Sequence, residues 1–267
     1  MAILISDILF TGPLGNVSFY KMRGIDKIIA RRKGGASKEK IKKAKEFEKT
    51  RRLNAEFGGR SAGSKCIMHS MFPLKALADY NFAGTLNALI KPVQEMDTES
   101  EHGKRNIYFT KQPKLLEGFS LNKRNPFNTI VRCPVSCKLD KKNMSASIDI
   151  PALVPGINFF VPPGGHPYYS IIAVLGVVAD VIYTKYGYKP LSGVNTEPVH
   201  AASGWYPVLK GSQGITLEIS LKEQSSKLDV SSFSLILSIG IRFGTVGING
   251  EVEQAKYAGA AKVLVVK

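Results

Sequence analysis

Residues 170–183 read Ser-Ile-Ile-Ala-Val-Leu-Gly-Val-Val-Ala-Asp-Val-Ile-Tyr, an almost unbroken apolar run. Periodicity alone cannot separate a buried strand from a buried helix in such a run. Its branched residues decide the matter: Ile171, Ile172, Val174, Val177, Val178, Val181 and Ile182. Two heavy atoms on Cβ cost rotamer freedom in a helix but suit a pleated sheet. The run is therefore read as a strand, with Gly176 as a bulge or bend.

Working outward, further strands are predicted over 106–110, 115–121, 128–139, 144–150, 197–208, 214–221, 232–243 and 256–266. Turn signals separate them, among them Asn125-Pro126, Pro155-Gly156, Pro162-Pro163-Gly164-Gly165, Gly187 and Gly211. Asn249-Gly250 has the composition of a type I′ hairpin turn. Short strands with frequent turns predict a mainly antiparallel β-sandwich over 106–267. Residues 95–105 are polar and partly acidic, and read as a linker or exposed loop.

Upstream the pattern changes. Ile3–Phe10 and Val17–Met22 flank a Gly12–Gly15 turn, which predicts a strand and hairpin arm over 1–36; the alternation of Val17 and Phe19 with Lys21 and Arg23 further along favours one buried face. Ser37 is a suitable N-cap for a helix over 38–57, whose thin apolar stripe is Ile41, Ala44, Phe47, Leu53 and Phe57. Gly58-Gly59 is expected to end it, since each glycine costs about 1 kcal/mol in a helix interior. A second helical stretch, 61–90, is interrupted near Pro73 and carries apolar residues three and four apart from Ile67 to Leu89. The whole is an α+β chain: a basic N-terminal hairpin, a helical region over 37–94, and the sandwich.

The chain has 37 Lys+Arg against 21 Asp+Glu, a net charge of +16. Residues 1–65 alone hold 16 and 6 of these, a net of +10 in a quarter of the length. That asymmetry is the strongest physical signal in the chain. Arg31, Arg32, Lys33, Lys42, Lys43, Arg51 and Arg52 are the candidate interface residues, either for a neighbouring copy or for a polyanion. Arg32 to Ser37 precedes a helix and has the elements of an anion site, against the plainer reading of a turn with a capping serine. Glu39–Lys43 and Glu48–Arg52 have the spacing of helix ion pairs.

Catalytic and metal patterns are missing. Cys133 and Cys137 lie close in sequence, but a closed zinc site needs four ligands and neither Cys66 nor the histidines supply a second pair. Three cysteines also exclude a fully paired disulfide scaffold. There is no G-x-S-x-G, no H-E-x-x-H and no P-loop. His69, His102, His166 and His200 are scattered along the chain. A pocket lined by Pro162–His166 and Trp205-Tyr206 would be needed for an enzyme or a sugar-binding module. No cofactor is expected. No apolar run reaches the ~20 residues of a membrane span, and Met1–Phe10 lacks the basic start and cleavage site of a secretory signal. The expectation is a protein made in the cytoplasm, with release by lysis or a dedicated apparatus left open. Both apolar ends, Ile3–Ile5 and Val263–Val266, are expected to dock in sheets or against neighbours.

Several strings resemble an uncharacterised family of basic, roughly 250-residue Bacteroidota proteins, a size suited to one large domain. They are Phe10 to Lys21 (FTGPLGNVSFYK), Arg32-Lys33-Gly34-Gly35, Thr50-Arg51-Arg52 with Glu56-Phe57-Gly58, Leu115 to Phe119, Ile150-Pro151-Ala152 and Pro163-Gly164-Gly165. The resemblance spans most of the chain and implies no cofactor and no catalytic residue.

The function expected from these features is non-enzymatic. A β-rich body, apolar ends and a basic arm with little core of its own point to self-assembly into a homopolymeric filament, tube or particle. The alternative is a nucleic-acid or polyanion-binding protein using the basic helix 38–57.

Overall fold

The turn at Gly15-Asn16 folds Val17–Met22 (β3) back on Gly12–Leu14 (β2). Ile25–Arg32 (β4) pairs with β3, and Ala2–Leu4 (β1) pairs with the far side of β4, giving an antiparallel sheet of order β1-β4-β3-β2. The computed structural model describes residues 2–4, 10–22, 25–191, 196–221 and 232–267. Residues 5–9 of the expected first strand, and Arg23 of the second, lie outside the described residues. Residues 1–51 and 52–267 form two compact units, so the boundary falls inside the expected helical region 37–94.

In the first unit Ser37 caps a short helix, Lys38–Lys43 (α1), its side chain accepting from Lys40 N at 3.2 Å. The helix stops at Ala44, and a 3₁₀ turn follows over Lys45–Phe47. Among the described residues of this unit, Ile28 and Ile29 alone are buried.

The expected helix stop at Gly58-Gly59 does not occur. Glu48–Ser70 (α2) runs straight through both glycines. Its buried residues are Glu56, Gly59, Gly63, Ser64, Ile67 and Ser70, while Leu53 and Phe57 of the expected stripe are exposed. The packing explains the difference. A Cβ at Gly59 would lie 2.7 Å from Cδ1 of Tyr188, and one at Gly63 would lie 3.0 Å from Cζ of Phe109. The helix gives up propensity so that aromatic rings approach its backbone. The break near Pro73 is present as a 3₁₀ segment, Phe72–Leu77, followed by the helix Ala83–Glu95 (α3).

Several expected strands are absent. Residues 109–111 and 113–116 form 3₁₀ turns, Ile107 keeps one bridge to Val181, and Phe127–Ile130 is a single helical turn (α4). Pro113 and Pro126 start these turns, where a proline lacks the N–H a ladder needs. The remaining strands are Ser136–Asp140 (β5), Ser145–Ile150 (β6), Tyr168–Ala179 (β7), Val181–Thr184 (β8), Gly187–Pro190 (β9), Val199–Ala202 (β10), Tyr206–Pro207 (β11), Ile215–Ser220 (β12), Phe233–Val246 (β13) and Val252–Val266 (β14). The main sheet has the order β10-β7-β13-β14, with β11 also on β7; a smaller sheet has the order β12-β6-β5 and β8 pairs with β9. All named pairs are antiparallel, so the chain is α+β with a mainly antiparallel β-rich part.

The expected strand over 168–183 breaks at Asp180, Val181–Thr184 pairing with β9 instead, and the part that forms β7 is central because it is buried on both faces. Ile171, Ala173, Leu175 and Val177 join the core shared with the smaller sheet, and Ile172, Val174 and Val178 join the core under the helices. Two cores on one strand require the continuous apolar run that half-buried strands lack. Gly176 makes no bulge, since its register with β13 is unbroken. It is small because Ser70, at the end of α2, sits on it: a Cβ there would overlap the Ser70 carbonyl oxygen and lie 2.7 Å from the Ser70 Cβ. Gly240 on β13 likewise makes room for Leu74 and Leu77, both 2.8 Å from a hypothetical Cβ. The β13–β14 connection is a five-residue loop, 247–251, rather than a two-residue type I′ turn; Gly247 N donates to Glu251 O at 2.7 Å. At the chain end Val263 and Val266 are buried in the helix-side core.

Candidate functional site

The seven predicted interface residues do not all fall in one unit. Arg31 and Arg32 end β4 and Lys33 follows it, all three exposed. Lys33 N donates to Asn16 O at 2.6 Å, which holds the backbone of the basic run against the hairpin turn. Lys42 and Lys43 are exposed in the last turn of α1. Arg51 is occupied otherwise. Its Nη1 donates to the carbonyls of Ile41 and Ala44, both at 2.8 Å, and so satisfies the orphaned acceptors at the end of α1. Arg52 belongs to the second unit, with its Cα and Cβ against Gly103.

At Arg32 to Ser37 the plainer reading applies: Ser37 caps a six-residue helix, too short to present a useful dipole to an anion. Lys40 pairs with Glu46 at 2.9 Å, both partners exposed, and among the described residues no ion pair joins Glu39 and Lys43. Across residues 1–51 the count is 13 Lys+Arg against five Asp+Glu, a net of +8, which leaves +8 on the rest of the chain.

The segment read as a linker is held firmly. Glu56 is 1% exposed and accepts from Arg105 Nε at 2.7 Å, Arg105 Nη2 at 2.8 Å and Gly103 N at 2.9 Å; His102 Nε2 lies 3.7 Å away. Burial pushes the Glu56 carboxyl up, but the hydrogen bonds from Arg105 and Gly103 and the neighbouring positive charges outweigh it and leave it below the usual range. Asp97 behaves alike: burial raises it, and donors from Asn106, Ser100 and Glu99 bring it down. These carboxylates fold residues 97–106 around themselves. Saturated with donors, they are structural and poor candidates for general bases.

No constellation for nucleophilic or metal chemistry forms among the described residues. No group of three or more His, Cys, Asp or Glu is placed to hold a metal ion. The three thiols are unpaired, and burial pushes each of them up, away from the reactive thiolate. Cys133 and Cys137 pack against the inter-sheet core. Cys66 and His69 line a small recess next to Val177, and His69 Nε2 is 3.7 Å from the Glu197 carboxylate. No helix among the described residues is long and apolar enough to cross a membrane.

The pocket imagined from Pro162–His166 and Trp205-Tyr206 is half present. Pro162, Pro163 and His166 line a cleft of about 840 Å³ in the second unit, together with Phe243 and residues from 75–83, 122–125 and 256–259. Trp205 lies elsewhere, under the Arg242 guanidinium at 4.9 Å, and Tyr206 packs beside Tyr169 in the inter-sheet core. Sequence reasoning missed the rest of the cleft because its walls come from segments far apart in the chain, between Met68 and Gly259. Comparison with protein families, with curated proteins and with solved structures finds no match for the chain.

Proposed function

We propose that the protein is a non-enzymatic structural component that assembles with copies of itself into a homopolymeric filament, tube or particle, the N-terminal unit docking on a neighbouring subunit. The observation that carries this reading is the poverty of that unit's core. Its described part buries Ile28 and Ile29, yet leaves Ile3, Phe10, Leu14, Met22 and Ile25 between 41% and 63% exposed. About 50 residues with so little buried area are hard to stabilise alone, and exposed apolar side chains on a sheet mark a surface that gains by being covered.

The two edges of the N-terminal sheet, β1 and β2, supply a route. Among the described residues each has a side without a partner strand in the sheet order, and an open edge is a template for strand addition by another chain. A heterologous contact of this kind repeats into filaments or tubes, or closes into a ring. Both units carry +8, so attraction between whole units does not drive docking; apolar cover and strand pairing do. Arg31, Arg32, Lys33, Lys42 and Lys43 then set register against local carboxylates.

The same charge distribution favours a second reading. Copies that repel one another at low salt are neutralised by a polyanion, and the five exposed cations suit a phosphate backbone. Light-scattering mass on nuclease-treated protein in high salt, with negative-stain images of the same fraction, separates the two. Large regular particles support assembly. A monomer of 29.1 kDa that gains mass only when nucleic acid is returned refutes it in favour of the polyanion reading.

A further inference from the structure

One edge of the main sheet is irregular where it borders the 840 Å³ cleft. On β13–β14, Arg242 pairs with Gly259 but Gly244 pairs with Gln254, so residues 255–258 bulge out of β14 opposite Phe243. Tyr257, within the bulge, has φ +58°, a left-handed conformation that a bulky residue rarely adopts. The strain is tolerated while the Tyr257 ring stays 76% exposed at the cleft. Bulges of this kind re-aim side chains, and local strain concentrates where a surface is used. Here the bulge turns Lys256 and Tyr257 to the cleft.

The other walls bring two more cations, Lys75 and Arg124. None of Lys75, Arg124 and Lys256 forms an ion pair among the described residues. The acid of the cleft is Asp79. Its oxygens accept from Lys123 N at 2.9 and 3.0 Å and from Arg124 N at 2.8 Å. Those neutral donors hold the carboxylate in place without cancelling its charge, so three cations against one anion share the concave site and leave it a formal charge of +2. The start of α3 also opens here, where Ala83 N already donates to the Asn81 Oδ1 at 3.2 Å. Beside the charge stand exposed Tyr257, Tyr80 with the Lys123 Nζ 4.4 Å from its centroid, and His166 stacked on buried Phe243 with centroids 6.4 Å apart, with Phe82 buried beneath. The His166 Nδ1 is buried without a hydrogen bond among the described residues.

We propose that this cleft binds a phosphate group carried on a planar ring, the chemistry of a nucleotide, with Lys75, Arg124 and Lys256 receiving the phosphate and the aromatic wall receiving the base. Cationic side chains select phosphate by charge-assisted hydrogen bonds, and a ring face stacks any base. The volume suits a small ligand. The source is either a free nucleotide or a nucleotide of a single strand. The site is independent of the N-terminal docking, because every residue of it belongs to the second unit.

Isothermal titration calorimetry in low salt tests it with four probes: adenosine monophosphate, adenosine, inorganic phosphate and a ten-nucleotide single-stranded DNA. Adenosine monophosphate is expected to saturate one site, with adenosine and phosphate each about tenfold weaker or more. In the Lys75→Ala/Arg124→Ala/Lys256→Ala variant its affinity should fall about a hundredfold, with the melting temperature unchanged because those side chains hold no ion pair. Tyr257→Gly relieves the backbone strain, so it should fold at least as stably while binding several-fold more weakly. The oligonucleotide binding more tightly than the mononucleotide, and losing that binding in the triple variant, assigns the site to a strand; the reverse order assigns it to a free nucleotide. No saturable binding of either, phosphate binding as well as adenosine monophosphate, or an affinity unchanged in either variant overturns the proposal.

Discussion

Replacing Glu56 by glutamine should destabilise the second unit by about 3 kcal/mol, the lower end for breaking a buried ion pair. The carboxylate is 1% exposed and accepts two hydrogen bonds from Arg105 and one from Gly103. Glutamine keeps the volume and one acceptor, but it turns an amide N–H₂ toward the guanidinium and leaves that cation without its counter-ion. The Arg105 side chain is 19% exposed and recovers part of its hydration, which is why the lower end applies. Trp205, the one tryptophan, lies in this unit and reports urea unfolding by fluorescence. With a slope of about 3 kcal/mol/M, the midpoint moves by about 1 M. The Glu56→Gln/Arg105→Gln double variant strands no charge and should recover more than half of the loss. The pH dependence has a definite sign. Glu56 sits below its ordinary range when folded, so the unfolded chain takes up its proton first and stability falls with acid. The contribution is complete above the ordinary glutamate range near 4.3 and is lost as pH drops through the lowered folded value. Glu56→Gln should therefore flatten the acid limb. A midpoint shift under 0.2 M, equal losses in the single and double variants, or an unchanged acid limb would refute the account.

Two further substitutions test local packing. Gly176→Ala drives a methyl onto the Ser70 carbonyl and should cost about 2 kcal/mol in urea unfolding, whereas Gly84→Ala, with nothing within 4 Å of the new methyl, should be neutral or stabilising by up to about 1 kcal/mol; equal effects would show that the helix–sheet approach is looser than described. Arg51→Ala removes both donors from the end of α1 and should fray it, at a cost of about 1 kcal/mol; the amide of Ala44, which donates to Lys40 O, should exchange several-fold faster while Val174 on β7 is unchanged.

The central strand was legible because burial on two faces leaves its mark in one contiguous segment. The helix that runs through Gly58-Gly59 was not, because the partner that makes Gly59 useful, Tyr188, lies about 130 residues further on, and propensity knows nothing of it; no contact explains Gly58. Leu53 and Phe57 show the converse: apolar residues at helical spacing that the fold leaves outside. The basic arm could be read from charge counting alone, but the separate duty of Arg51 could not, since a guanidinium on two carbonyls ten and seven residues back has no compositional signature. The cleft left least trace. Lys75, Arg124 and Lys256 are far apart in the chain, and a four-residue bulge within β14 brings the last of them to it.

Burial of β7 on two faces also has a cost in time. The strand ends at Ala179 and its central neighbour β13 begins at Phe233, 54 residues later. At a synthesis rate of about 5–20 residues per second that is a wait of roughly 3–10 s. The helices and strands that cover its two faces are already made by then, but the hydrogen-bonding edge meant for β13 stays open. Until the final hairpin arrives, the nascent protein carries at its centre an apolar strand with one edge unpaired, and a chain stalled before Phe233 would offer that edge to other chains.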